Sequence, residues 1–155
     1  MHKAAKRNFV ELVKFMIDKG ADVNSKSKGG VTPLHRAAEG NAVATAKLLI
    51  EKGASINAQT SSGRTPVIMA TWSGKPEIVE LLIERGAEIN HAGSSDRTAL
   101  HDAASKGSVP IVALLIKHGA RINAPDEAGK TPLDLALAEG KKDVAIFLRK
   151  HGARE

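Results

Sequence analysis

Apolar side chains recur along this chain in a helical rhythm that restarts at a fixed interval. Triplets at i, i+3 and i+4 occur as Leu12/Phe15/Met16, Ile78/Leu81/Leu82, Ile111/Leu114/Leu115 and Val144/Phe147/Leu148, with Thr45/Leu48/Leu49 a weaker copy. That spacing gathers the three side chains on one stripe of a helix, so each segment predicts a short helix whose apolar stripe faces a neighbour. A glycine follows every stripe. Gly20, Gly53, Gly86, Gly119 and Gly152 stand 33 residues apart, each followed by alanine, at the place where a helix ends in a left-handed residue. Three residues after the alanine in the first four come Asn24, Asn57, Asn90 and Asn123.

A second helix precedes each stripe. Thr32, Thr65, Thr98 and Thr131 share the 33-residue spacing, and three of them precede proline: Pro33, Pro66 and Pro132. Threonine as N-cap with proline at the first helical position is a strong start signal. The helices that start there carry Ala37, Ala70, Ala103 and Ala136, and break around Asn41, Gly74, Gly107 and Gly140. The unit is therefore helix, turn, helix and a polar Gly- and Ser-rich loop. Two short helices cannot bury their apolar faces alone, so units must stack on one another into a solenoid. The period predicts a single domain over 1–155, with a shortened unit over about 1–30, full units over about 31–63, 64–96 and 97–129, and a last unit over about 130–155.

The stretch Thr32-Pro33-Leu34-His35-Arg36-Ala37-Ala38, followed by Leu48-Leu49-Ile50-Glu51-Lys52-Gly53-Ala54, resembles the ankyrin repeat, and the resemblance covers essentially the whole chain. Lys130-Thr131-Pro132-Leu133-Asp134-Leu135-Ala136 is similar to the C-terminal capping repeats of that family. Departures are local: Ala99 replaces proline, Ile68 and Asp134 replace the usual histidine, and Asp96 stands where a loop glycine is expected, which puts the geometry of that loop in question. The resemblance implies an all-α solenoid whose loops project as short β-hairpin fingers. It also implies a concave face, made by the fingers and the first helices, that binds a protein partner without catalysis. The lack of cysteine and the closely packed repeats also resemble engineered ankyrin binders, although units differ at framework positions such as Thr45-Ala46-Lys47 against Ile78-Val79-Glu80. Both origins imply the same binding face.

Composition narrows the chemistry. With no cysteine, disulfides, thiol nucleophiles and cysteine-based zinc sites are excluded; the absence is neutral about compartment, though a natural protein of this kind fits the cytoplasm or nucleus. No run approaches the roughly 18 apolar residues that a membrane span requires. His35 and His101 share a register position at which the resemblance implies a hydrogen bond to neighbouring backbone, and His2 falls there too. His91, His118 and His151 lie at or beyond helix ends. No metal-binding helix motif, nucleophile elbow or phosphate loop is present, so no cofactor is expected.

Trp72 is the most informative single residue. It lies seven after Thr65, a position that the resemblance places on the exposed side of the first helix, where other units hold Glu39, Ser105 and Ala138. Met69 falls on the same helical face. Together they define a candidate anchor for a partner, since truncating a central aromatic anchor commonly costs about 2 kcal/mol or more; the alternative place for Trp72 is the edge of the core. Phe15 and Phe147 replace leucines and are expected in the core, while Phe9 sits at a turn position and carries no assignment.

Charge is uneven. Up to residue 64 the expected finger and concave positions hold Lys3, Lys6, Arg7, Lys26, Lys28, Arg36 and Arg64 against Glu39; from residue 96 they hold Arg97, Lys106 and Lys130 against Asp96, Asp102, Asp126, Glu127 and Glu139. Such a face steers an acidic segment toward the N-terminal half, unless it is no more than a solvated charged surface. Nucleic acid is disfavoured, because one aromatic is not a stacking platform and the acidic half repels phosphates. The candidate contact set is Lys28, Arg36, Arg64, Met69, Trp72, Arg97, Asp102 and Lys106. The chain is expected to be monomeric. The alternative is a structural or oligomerising solenoid that self-associates through its N-terminal end, where apolar surface around Ala4, Ala5 and Phe9 lacks a cap.

Overall fold

The computed structural model describes residues 1–154. Ten α-helices follow in pairs: α1 (His2–Lys6) and α2 (Val10–Asp18), α3 (Pro33–Glu39) and α4 (Val43–Glu51), α5 (Pro66–Ser73) and α6 (Pro76–Glu84), α7 (Ala99–Lys106) and α8 (Val109–Lys117), α9 (Pro132–Ala138) and α10 (Lys142–Lys150). The odd-numbered helices contact one another in order, as do the even-numbered ones, and each helix also packs on its own partner. The result is two helical rows with the core between them.

The elements end where the sequence says they should. All five second helices close with a backbone bond from the alanine after the register glycine to the carbonyl five residues back, as in Ala54 to Leu49 (2.9 Å) and Ala120 to Leu115 (3.0 Å). The intervening glycines have φ between 87° and 96°, which a side chain would strain. The turn inside each pair also passes through the left-handed region, at Asn8, Asn41, Gly74, Gly107 and Gly140. Asparagine is the residue other than glycine best suited to that conformation, so Asn8 belongs to the series.

Stacking is completed by side chains that reach one unit ahead. Asn24 donates to the Gly53 carbonyl (3.0 Å) and accepts from the Ser55 N–H (2.8 Å). Asn57, Asn90 and Asn123 repeat this with Gly86 and Glu88, Gly119 and Arg121, and Gly152 and Arg154. Each asparagine thereby satisfies a helix-terminal carbonyl and a loop N–H of the following unit, groups that the helix itself leaves without partners.

The loops depart from the expected hairpins. No β-strand occurs among the described residues. Each finger is a narrow turn closed by a bond such as Ser27 N–H to Val31 O (2.9 Å) or Thr60 N–H to Arg64 O (3.0 Å). Single contacts such as Ser61 N–H to Gly29 O (2.9 Å) join neighbouring fingers, and one bond does not make a ladder. The finger that carries Asp96 in place of glycine forms a 3-10 turn over Ser94–Asp96, with Ser95 and Asp96 both at positive φ (57° and 54°).

Two core assignments are corrected. Phe15 is 57% exposed, because α2 has no neighbour among the described residues on the side its stripe faces; Phe147 is half-buried and stacks on His151 at 4.2 Å between ring centres. Ala4 and Ala5, expected at an uncapped surface, are buried, whereas Phe9 is exposed.

The histidine position shows what the departure at Ile68 costs. His35 and His101 each accept at Nδ1 from the N–H of the threonine N-cap (3.2 Å in both) and donate from Nε2 to the next unit's Arg64 and Lys130 carbonyls (2.9 and 3.1 Å). Asp134 makes the threonine half of this set with Thr131. Ile68 makes none of it, and the buried Thr65 hydroxyl has no hydrogen-bond partner. Replacing Thr65 by valine therefore changes stability by less than about 0.5 kcal/mol, whereas Thr98→Val costs about 1 kcal/mol or more by removing the hydroxyl that bonds the buried His101 Nδ1 (2.9 Å). Urea unfolding of the two variants checks this contrast; equal losses would contradict it.

Candidate functional site

The odd-numbered helices and the fingers form one continuous face. At its centre Trp72, on α5, is 44% exposed. The Thr65–Pro66 start fixes the phase of α5 and so points the seventh residue outward. Two cations sit on the indole: Lys106 Nζ, from α7, lies 3.8 Å from the ring centre, and Arg64 Cζ, from the finger before α5, lies at 5.4 Å. Both distances fall within the range in which a cation is attracted by the ring quadrupole. Met69 is half-buried against the core rather than open beside the indole.

Asp102, one helical turn before Lys106, does not stand on the exposed face as expected; it is 4% exposed. Burial pushes its carboxyl above the ordinary range, against the opposing pull of Arg64, Arg97, His101 and Lys106. Its positive neighbours thus surround a carboxylate that is largely withdrawn from solvent. Arg97 lies beside the Asp126 carboxylate (3.7 Å).

Toward the N-terminal end the charges are partly matched. Glu39 takes Lys6 (2.7 Å) on one oxygen and Arg36 (2.8 Å) on the other. Burial raises the Glu39 carboxyl, but the hydrogen bonds and charges of Lys6 and Arg36 outweigh it and hold the carboxyl below its ordinary value. Among the described residues, Lys3, Arg7, Lys26, Lys28 and Arg64 have no carboxylate at ion-pair distance. A shallow depression lined by His2, Lys3, Lys6, Ser27 and Arg36 adjoins another lined by Lys3, Lys6, Arg7 and Gly40. Lys28 is exposed at the tip of the first finger. Of the candidate set, then, Arg64, Trp72 and Lys106 converge, with Asp102 beneath them; Lys28 and Arg36 lie at the basic end, and Arg97 in the third finger.

The histidines belong to the scaffold. His2 bonds through Nε2 to Val31 O (2.8 Å), in register with His35 and His101. His91, which sequence reasoning placed only in a loop, bonds through Nε2 to Gly63 O (2.9 Å) and so ties the third finger to the second. It lies outside the repeated histidine register, so the period gave no signal for it.

A family model for ankyrin repeats matches residues 1–93 and 90–155. With the helix pairs and stacking just described, the chain belongs to the ankyrin-repeat family. None of the curated proteins compared with it is similar at a significant level. Ankyrin repeats are in general protein–protein interaction modules and typically non-catalytic.

The histidine geometry carries a pH dependence. Nδ1 of His35 accepts a backbone N–H, so the ring must be neutral there, and burial, with lesser help from Arg36 and Lys26, holds its pKa below the ordinary 6.5. The unfolded chain therefore binds protons first as pH falls. The contribution of His35 is complete above the ordinary value and is lost progressively below it. His101 follows the same sign, while Asp102, with its raised pKa, acts in the opposite sense: its contribution is lost as pH rises. His35 is the cleaner probe, because Asp102 is not among the charges acting on it. His35→Leu lowers unfolding free energy by about 2 kcal/mol at neutral pH through its orphaned partners. The gap from wild type narrows as pH falls from about 7.5 to about 5.5. A gap that stays constant over that range would contradict the assignment.

Proposed function

We propose that this chain is a docking module for a protein partner. The partner lies along the concave face formed by the fingers and first helices, with Trp72 as anchor and an acidic segment over the N-terminal half. The observation that carries the reading is the convergence of Arg64 and Lys106 on an exposed indole. An aromatic held by cations offers apolar contact area and positive charge in one place. Tryptophan and arginine are the residues most enriched among those that dominate binding energy.

The charge pattern supports the direction of docking. Lys3 lines the basic depression, Lys26 and Lys28 flank its Ser27 in sequence, and among the described residues none of the three has a carboxylate at ion-pair distance, whereas Asp126 sits against Arg97 farther along the stack. A partner with acidic residues is drawn to the first end and repelled from the other, which raises the association rate and makes it salt-dependent. Lys28, Arg36, Arg64, Met69, Trp72, Arg97 and Lys106 are the proposed contact residues; Asp102 acts from below, by drawing the surrounding cations together.

Capture from cell lysate on immobilised wild-type chain, beside Trp72→Ala, tests the reading. The wild type retains a partner that the variant loses by roughly thirty-fold, as expected for about 2 kcal/mol. Equal retention by both proteins would move the interface away from Trp72.

A further inference from the structure

A histidine bond joins neighbouring first helices at three places in the stack: His2 to Val31 O, His35 to Arg64 O and His101 to Lys130 O (2.8, 2.9 and 3.1 Å). Ile68 stands in that register on α5, so the joint between α5 and α7 has no such bond. The same joint gathers buried polar groups without partners. The Thr65 and Thr71 hydroxyls and Arg97 Nε, all in α5 or the finger before α7, are buried and lack a hydrogen bond. Ser73 reaches back to the Ala38 carbonyl of the preceding unit (3.5 Å). Thr71, two residues earlier and so about 200° round the helix, points the other way, toward α7. From α7, Asp102 faces α5 one turn before Lys106; it is buried, and no cation lies at ion-pair distance from it among the described residues.

The polar contacts that do hold this joint lie at its edges. His91 and Ser94 of the third finger bond the Gly63 and Ser62 carbonyls of the second (2.9 and 2.6 Å), and Asn90 bonds the Gly119 carbonyl (3.0 Å). Lys106 lies over the Trp72 ring. Between these edges the cost of withdrawing Thr71 and Asp102 from water is not offset by hydrogen bonds, and separating the helices returns both groups to water. In a stack whose units contact only their neighbours, a weak joint divides one cooperative block into two.

We propose that the joint between α5 and α7 is a built-in hinge, at which the stack opens more readily than at the histidine-bonded joints. It lies beneath Trp72 and Lys106, so opening parts the indole from its ammonium and takes the cationic site apart. The inference concerns the scaffold and stands whether or not a partner docks at Trp72.

Native-state hydrogen exchange of the full chain reads the hinge. The amides of α5 and α6 exchange through one set of openings and those of α7 and α8 through another, the two differing in frequency by about tenfold, with the change falling between α6 and α7. Ile68→His restores the register histidine, with the Thr65 hydroxyl and the Arg97 carbonyl as its partners, and narrows the step by about fivefold, as one regained hydrogen bond implies. Thr71→Val removes an unpartnered hydroxyl at nearly constant volume and acts in the same direction, and it serves should the histidine variant fail to fold. A step narrowed by either substitution is the expected result. Matching openings on both sides of the joint, or a step that neither substitution narrows, would overturn the proposal.

Discussion

Each two-helix unit leaves backbone groups at its ends that only the next unit can satisfy, and the structure depends on how that is done. Asparagine in the loop after each register glycine spans the gap from both its atoms, donating to one helix-terminal carbonyl and accepting from one loop N–H of the following unit. Histidine on the first helix adds one such bond, donating at Nε2 to a carbonyl of the following unit while its Nδ1 accepts from the N-cap N–H of its own unit. Buried polar groups without partners are costly, so these bonds fix the spacing and rotation between units as well as adding stability. Close approach follows: a side chain at Gly40 would collide with the Lys6 carbonyl of the preceding unit.

A scaffold whose bonds run from unit to unit holds the side chains on its open face at fixed separations. Trp72 and Lys106 belong to successive units, 34 residues apart in sequence, yet the ammonium lies 3.8 Å from the ring centre. Arg64 reaches the same ring from a finger. The cations are thus placed before any partner arrives, so less ordering cost falls on binding. The Glu39 carboxylate plays a similar part at the basic end, holding Lys6 and Arg36 at 2.7 and 2.8 Å while leaving Lys3 and Lys28 outward. Ion pairs exposed to this degree add little stability; their consequence is positional.

The repeat was legible because its signals are local and periodic: N-cap threonine, register glycine, asparagine and apolar stripe each depend on a few neighbouring residues. Trp72 was legible for the same reason, since its phase is set by Thr65. What escaped depends on contacts between units. Asp102 shares a register position with the more exposed Lys3 and Arg36, and only the packing of α7 buries it. Phe15 matches core leucines in sequence but lacks the neighbour that buries them. The His91 bond to Gly63 follows from the shape of one irregular finger, which Ser95 and Asp96 turn through left-handed conformations without glycine.

Acidic segments are the ligands proposed for the face around Trp72. The most direct test is an NMR titration of the isotope-labelled chain with a glutamate-rich peptide of about ten residues, long enough to lie across neighbouring units at about 3.3 Å per residue. Progressive, salt-sensitive shifts confined to the Trp72 indole, Arg64, Lys106, and the first finger with Lys26 and Lys28 are expected. Shifts centred instead on the second helices, at Lys47, Lys117 and Lys142, would contradict it.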